Sequence, residues 1–125
     1  MSLKKRALVV EDTSFFKDML RKFLFKFGYE VEVCMNGEEA LSLAKSQDFD
    51  LIVADWLMPI KSGLDFIKEV RLFSNHRKTP IVMISSENDA NKVKQVIGLG
   101  IIDSYLIKPI TAETFEKQLE RLKLI

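Results

Sequence analysis

Asp50-Leu51-Ile52-Val53-Ala54-Asp55 is the segment on which the fold turns. Four apolar residues stand between two acids, with no polar alternation. A half-exposed strand would alternate. A strand apolar on both faces belongs in the middle of a parallel sheet covered by helices. Pro59 then breaks the chain, and Ser62-Gly63-Leu64-Asp65 opens a helix carrying Phe66, Ile67 and Val70.

The same strand-then-helix reading extends in both directions. Upstream, Ala7-Leu8-Val9-Val10 is a compact strand closed by Glu11 and Asp12. Apolar residues at 15, 16, 19, 20, 23, 24 and 27 then mark a helical face, with Lys17, Arg21, Lys22 and Lys26 opposite. Gly28 sits where a helix end wants positive φ. Tyr29-Glu30-Val31-Glu32-Val33 alternates as an edge strand does. Asn36-Gly37-Glu38-Glu39 is an N-cap followed by a carboxylate three residues on, and Leu41, Leu43 and Ala44 supply the apolar side of that helix.

Downstream, Ser74-Asn75-His76-Arg77-Lys78-Thr79 is a polar loop. Pro80-Ile81-Val82-Met83-Ile84 is a strand ended by Ser85-Ser86-Glu87, and residues 89 to 96 are helical, ending near Gly98 and Gly100. Tyr105-Leu106-Ile107 is a last strand, ended by Lys108-Pro109, before a helix capped by Thr111 and carrying Phe115, Leu119 and Leu122. The β-α unit thus occurs five times, with connections long enough for helical crossovers. That demands a mainly parallel α/β sheet with helices on both faces.

Composition fixes the class. A chain of 125 residues is one domain with room for a real core and no second domain. Apolar residues at 47% and charged residues at 30% are the balance of a soluble globular protein. Lys+Arg at 19 against Asp+Glu at 18 argues against a dedicated nucleic-acid binder. Cys34 is the only cysteine, so no internal disulfide is possible and a reducing compartment, the cytoplasm, is expected. No apolar run approaches the roughly 18–20 residues of a membrane span. Met1-Ser2-Leu3 is set aside as a possible cloning remnant before a domain at 4–125.

The strands end, on their C-terminal side, in polar residues: Glu11 and Asp12, Asp55, Ser85, Lys108. In an open parallel sheet those ends share one edge, where ligands bind at the switch point of strand order. Three carboxylates gathered there repel one another, and one is pushed toward protonation unless a cation intervenes. Lys108 is one such cation. A hard divalent ion with oxygen ligands is another, and Mg²⁺ suits carboxylates, a backbone carbonyl and water. No second Cys or His is available for zinc. Carboxylate, lysine, hydroxyl and Mg²⁺ together suit phosphoryl transfer, in which a carboxylate can be the nucleophile. Asp55, alone at the end of the most apolar strand, is the candidate.

At this point the sequence resembles the receiver domain of two-component response regulators, chemotaxis-type and CheY-like. The likeness rests on Glu11-Asp12, Asp55 with Met58-Pro59, Ser85, Tyr105 and Lys108-Pro109, and covers essentially the whole chain from about Lys4. It implies a doubly wound, flavodoxin-like sheet of five strands in the order 2-1-3-4-5 with five helices. It implies that Asp55 accepts a phosphoryl group from a sensor histidine kinase or phosphotransfer protein. Asp12, Asp55 and the backbone carbonyl of Leu57 would bind Mg²⁺ directly, and Glu11 through water. Lys108 would contact the phosphoryl group, Ser85 would hydrogen-bond it, and Tyr105 would swing in behind, remodelling the face made by the fourth helix, fifth strand and fifth helix. A target protein, or an output domain beyond this sequence, would read that face. By this likeness the domain is a switch, not a turnover enzyme, assisting only its own phosphorylation and dephosphorylation. It would be a monomer or weak dimer, touching neither nucleic acid nor membrane.

Three features depart from the family pattern. Glu11 stands where aspartate is commoner. Leu57 and Glu87 occupy positions that tune dephosphorylation in the family. The stretch Gly100 to Tyr105 is one residue longer than usual. The alternative function is a degenerate receiver acting only as an interaction module, against which Asp12, Asp55 and Lys108 speak. A haloacid dehalogenase-like phosphatase needs a second aspartate where Leu57 stands, and a dinucleotide binder needs a Gly-x-Gly-x-x-Gly absent after the first strand. Elsewhere, Trp56 is expected as a partly exposed neighbour of the site, His76 as solvated surface and Cys34 as packing. The basic face of the first helix reads as solvated, or as a dock for an acidic partner. Phe15, Phe16, Phe23 and Phe27 read as core.

Overall fold

A computed structural model describes residues 4–125. Its strands are β1 (Lys5–Val10), β2 (Tyr29–Cys34), β3 (Leu51–Asp55), β4 (Ile81–Ser85) and β5 (Ser104–Ile107). Its α-helices are α1 (Ser14–Lys26), α2 (Gly37–Ser46), α3 (Gly63–Val70), α4 (Ala90–Gly98) and α5 (Ala112–Arg121). All neighbouring strands are parallel, in the order β2-β1-β3-β4-β5. This is the doubly wound order expected from the sequence.

The segment that decided the fold lies where its composition requires. Every residue of β3 is buried. Ile52 and Ala54 point into one core layer with Leu8, Met83 and Phe66. Leu51 and Val53 point into the other with Leu20, Leu24, Phe115 and Leu119. Each fully buried aliphatic side chain is worth about 1.5–3 kcal/mol. A central strand apolar on both faces therefore anchors both layers at once. β2 is an edge strand, with Glu30 and Glu32 in solvent.

Helix starts follow the capping residues. Asn36 accepts from Glu39 N, Ser62 from Asp65 N, Asp89 from Asn91 N and Lys92 N, and Thr111 from Thr114 N. Gly28, just past α1, has φ +89°, a conformation most side chains resist.

Two sequence expectations are corrected. His76 is fully buried, not solvated. Its Nε2 lies 3.0 Å from the carbonyls of Ala44 and Gln47, and its Nδ1 lies 3.0 Å from Thr79 Oγ1. The ring stacks on Phe49. The polar loop around it hides a side chain that satisfies the end of α2, a partnership formed some 30 residues away along the chain. Phe15 is 70% exposed, not core. Leu20 and Leu24 define the buried line of α1. At 3.6 residues per turn, Phe15 lies about 140° from Leu20 around the helix, whereas Phe16 lies only about 40° away. Phe16, Phe23 and Phe27 do pack against the core.

Candidate functional site

Parallel pairing puts the C-terminal ends of β1, β3, β4 and β5 along one edge. Glu11 follows β1 and is fixed by its backbone N–H, which donates to Cys34 O at 3.0 Å. Its carboxylate is completely buried and accepts from Thr13 N at 3.1 Å. Asp12, next along, is half-buried. Asp55 ends β3, its side chain nearly buried, with Oδ1 accepting from Leu57 N at 3.3 Å. Lys108 follows β5, and its backbone N–H donates to Ser85 O at 2.8 Å.

Lys108 ties these ends together. Its Nζ lies 2.8 Å from Asp55 Oδ2 and 3.0 Å from both oxygens of Glu11. Only Oε1 of Glu11 has hydrogen-bond geometry; Oε2 is buried without a hydrogen-bond partner. The ammonium also sits 4.5 Å from the centroid of the Phe16 ring, a cation–π contact that shields it from water.

The electrostatics follow from one cation serving two buried acids, Glu11 and Asp55. Burial raises the Glu11 pKa, the Asp55 charge raises it further, and Lys108 opposes both. Burial alone would lower the Lys108 pKa, but hydrogen bonds and charge from Asp55 and Glu11 outweigh it, and the net shift is upward. Lys108 therefore stays an ammonium, and the pocket remains short of positive charge.

A divalent cation fits that shortage. Carboxylate oxygens of Glu11, Asp12 and Asp55 lie within 4.8 Å of one another. The donors are hard oxygens, as Mg²⁺ prefers. Glu11 Oε2, in ion-pair range of Lys108 but accepting no hydrogen bond, is a buried acceptor that a cation, or its water, would satisfy.

Close packing holds Asp55 in register. Gly63 N donates to Trp56 O at 2.8 Å, so the start of α3 lies against the end of β3. A Cβ on Gly63 would stand 1.8 Å from Asp55 O. Gly63→Ala is therefore expected to cost about 3 kcal/mol, the upper range of overpacking, read as a lower urea midpoint. A loss below about 1 kcal/mol would show that this loop yields freely.

Ser85 and Tyr105 meet at the backbone of one residue, Glu87. Ser85 Oγ is buried and accepts from Glu87 N at 3.1 Å. The Tyr105 hydroxyl donates to Glu87 O at 2.8 Å. Its ring stands edge-on to Trp56, 6.3 Å between centroids, and burial is the chief cause of its raised pKa. Trp56 is half-buried beside Asp55, while the Leu57 side chain is 56% exposed. Sequence reasoning did not find Phe16 over Lys108 or Gly63 against Asp55. The first was signalled only by the phase of Phe16 with Leu20; the second is a backbone approach without a side-chain signal.

The family model for the response regulator receiver domain matches residues 7–120. The chain belongs to this family. Among curated receivers it is 33% identical to chemotaxis protein CheY1 of Helicobacter pylori over 117 residues, covering 92% of this chain and 94% of that one. It is 29% identical to chemotaxis protein CheY-3 of Vibrio cholerae over 118 residues, covering 94% and 90%. Among solved structures, chemotaxis response regulator CheY4 of Vibrio cholerae superposes with a TM-score of 0.86 at 37% identity, covering 95% and 98%. The receiver domain of the sensor histidine kinase PA1611 from Pseudomonas aeruginosa superposes with a TM-score of 0.84 at 25% identity, covering 94% and 96%. That receiver has a magnesium ion coordinated in its active-site cleft. The present receiver is a CheY-like domain of two-component signalling, a phosphorylation-dependent switch by family.

Proposed function

We propose that Asp55 is the phosphoacceptor of this receiver, taking its phosphoryl group from a histidine kinase or phosphotransfer protein in a Mg²⁺-dependent reaction. The observation that carries this reading is the buried Asp55 carboxylate held by Lys108 beside a buried Glu11 oxygen that accepts no hydrogen bond. A carboxylate oxygen of Asp55 attacks phosphorus, the bond from phosphorus to the donor imidazole nitrogen breaks, and the imidazole leaves with that electron pair. The Lys108 ammonium neutralises charge on the equatorial phosphoryl oxygens. The side chains of Glu11, Asp12 and Asp55, with the Leu57 carbonyl, would hold Mg²⁺, which when bound supplies further charge neutralisation. Phe16 and the buried strand ends limit water around the reacting carboxylate.

The same residues account for a response. Ser85 Oγ accepts from Glu87 N and has its O–H to donate to the phosphoryl group, and Glu87 O is the acceptor of Tyr105. Glu87 thus links both switch side chains through its backbone N–H and C=O, and a local charge event biases the α4-β5-α5 face. That face acts on a target protein or output domain. The domain catalyses only its own phosphorylation and dephosphorylation, in the cytoplasm; no described helix is long and apolar enough to cross a membrane.

Trp56, the only tryptophan, reports on the site directly. Mg²⁺ and then beryllofluoride are expected each to give a saturable change in its fluorescence, lost in Asp55→Asn. A folded protein whose Trp56 responds to neither would overturn the proposal in favour of an interaction module that works without phosphate.

A further inference from the structure

α4 is the most lightly anchored helix of the fold: of its nine residues only Val96 is buried. Between it and α3 runs a groove of about 820 Å³, within the range of sites that hold a ligand. Trp56, Leu57, Leu64, Val96 and Leu99 give it an apolar lining. Leu57 and Leu99 are 56% and 49% exposed, so apolar surface on both walls faces water. At the rim, Lys92 pairs with Glu87 at 3.4 Å. Lys68, also lining the groove, has no ion-pair partner among the described residues. The groove thus carries one uncompensated positive charge over an apolar floor.

We infer that this groove is a docking site for an acidic peptide segment of a partner protein, which seats a bulky apolar side chain against Trp56, Leu64 and Leu99 and places a carboxylate at Lys68. It lies on the α3 flank of α4, apart from the α4-β5-α5 face. The groove and the switch share parts. Trp56 lines the groove and packs edge-on against Tyr105. Glu87 lines the groove and accepts the Tyr105 hydroxyl. A segment seated there and the modified Asp55 site therefore shift each other's affinity by the same factor; this coupling rests on the function proposed above.

The test uses fluorescence anisotropy in Mg²⁺-free buffer. The probe is a labelled, blocked peptide of alternating leucine and glutamate, compared with its leucine–lysine counterpart. The glutamate peptide is expected to bind saturably and more tightly than the lysine peptide. Lys68→Glu should weaken it about five-fold, and Leu99→Glu about ten-fold. Both positions are exposed, and circular dichroism checks that the fold is kept. No saturable binding, or equal binding by Lys68→Glu, overturns the site. Saturating Mg²⁺ and beryllofluoride should then change the affinity at least about three-fold. If Trp56 shows beryllofluoride bound and the affinity is unchanged, the coupling is wrong. If Trp56 is silent, the phosphorylation reading fails and the coupling with it, while the anisotropy in Mg²⁺-free buffer still decides the groove.

Discussion

Asp55→Asn is expected to abolish covalent phosphorylation and to change the stability of the protein little. The first half follows from chemistry. An amide oxygen is a poor nucleophile toward phosphorus, and the neighbouring carboxylates are differently placed. Glu11 is engaged with Thr13 N and Lys108 and completely buried, and Asp12 is off the end of its strand. The second half follows from charge. Asp55 is a cause of the raised Glu11 pKa, so its charge works against the buried pocket. Removing it leaves Lys108 paired with Glu11 alone, one cation to one anion. The asparagine oxygen can replace only one of the two Asp55 acceptors, Oδ1 toward Leu57 N or Oδ2 toward Lys108, and its amide group faces the other donor. Relief of the Glu11–Asp55 repulsion offsets the lost Lys108–Asp55 pair, and the expected stability change is within about 1 kcal/mol of zero. Intact-protein mass spectrometry after incubation with acetyl phosphate and Mg²⁺ reads the first half: one phosphoryl group on the parent, none on the variant. Labelling of the variant at the parent rate would move the acceptor elsewhere. Urea unfolding reads the second half, and a loss of more than about 2 kcal/mol would show that the Asp55 charge stabilises the pocket it was taken to strain.

The contrast between what was and was not legible in the sequence has a physical basis. Strand order and the shared edge follow from binary pattern and chain connectivity, which are local and survive averaging over detail. Asp50 to Asp55 reads as a central strand because nothing polar interrupts it, and β3 is buried throughout. The convergence of Glu11, Asp55 and Lys108 needed only that strands be parallel. His76 failed the same reading because its flanks are polar; what buries it are carbonyls of α2, distant in sequence. Phe15 failed because an apolar list was read without its phase about α1. The close approach of Gly63 to Asp55, and the light anchoring of α4 that opens the groove beside Trp56, are properties of packing. They depend on how two elements sit together, which no single segment encodes.

Lys108→Ala should show the largest stability effect of any single change at the site. The Lys108 side chain is 11% exposed, and those of its partners Glu11 and Asp55 are 0% and 7% exposed. Removing the only ammonium leaves two buried carboxylates facing each other without compensation. Breaking a buried ion pair from one side costs about 3–5 kcal/mol. Two conditions should return part of that loss. The first is acid. The folded-state pKa of Glu11 is already raised above 4.5, and loss of Lys108 removes the interactions that hold it down. A group raised in the folded state favours folding when protonated, and that contribution disappears as pH climbs through its folded value. The variant should therefore regain stability as pH falls from neutral through that value toward 4.5. In the parent a second contribution has the same sign at higher pH: the raised Lys108 pKa gives a contribution fully present below 10.5 and lost as pH rises above it. The second condition is Mg²⁺. A cation that binds only the folded state adds about 2.7 kcal/mol at a hundred times its dissociation constant, and it meets no resident ammonium in the variant. Urea unfolding with and without Mg²⁺, at acid and neutral pH, separates these contributions. A loss below about 1 kcal/mol in Mg²⁺-free neutral buffer would mean that Lys108 does not hold the acids as described. If the loss appears and Mg²⁺ restores it, while beryllofluoride no longer moves Trp56, then Lys108 has two separable roles. It neutralises the acids when Mg²⁺ is withheld, and it carries the phosphoryl charge to β5, the strand on which Tyr105 sits.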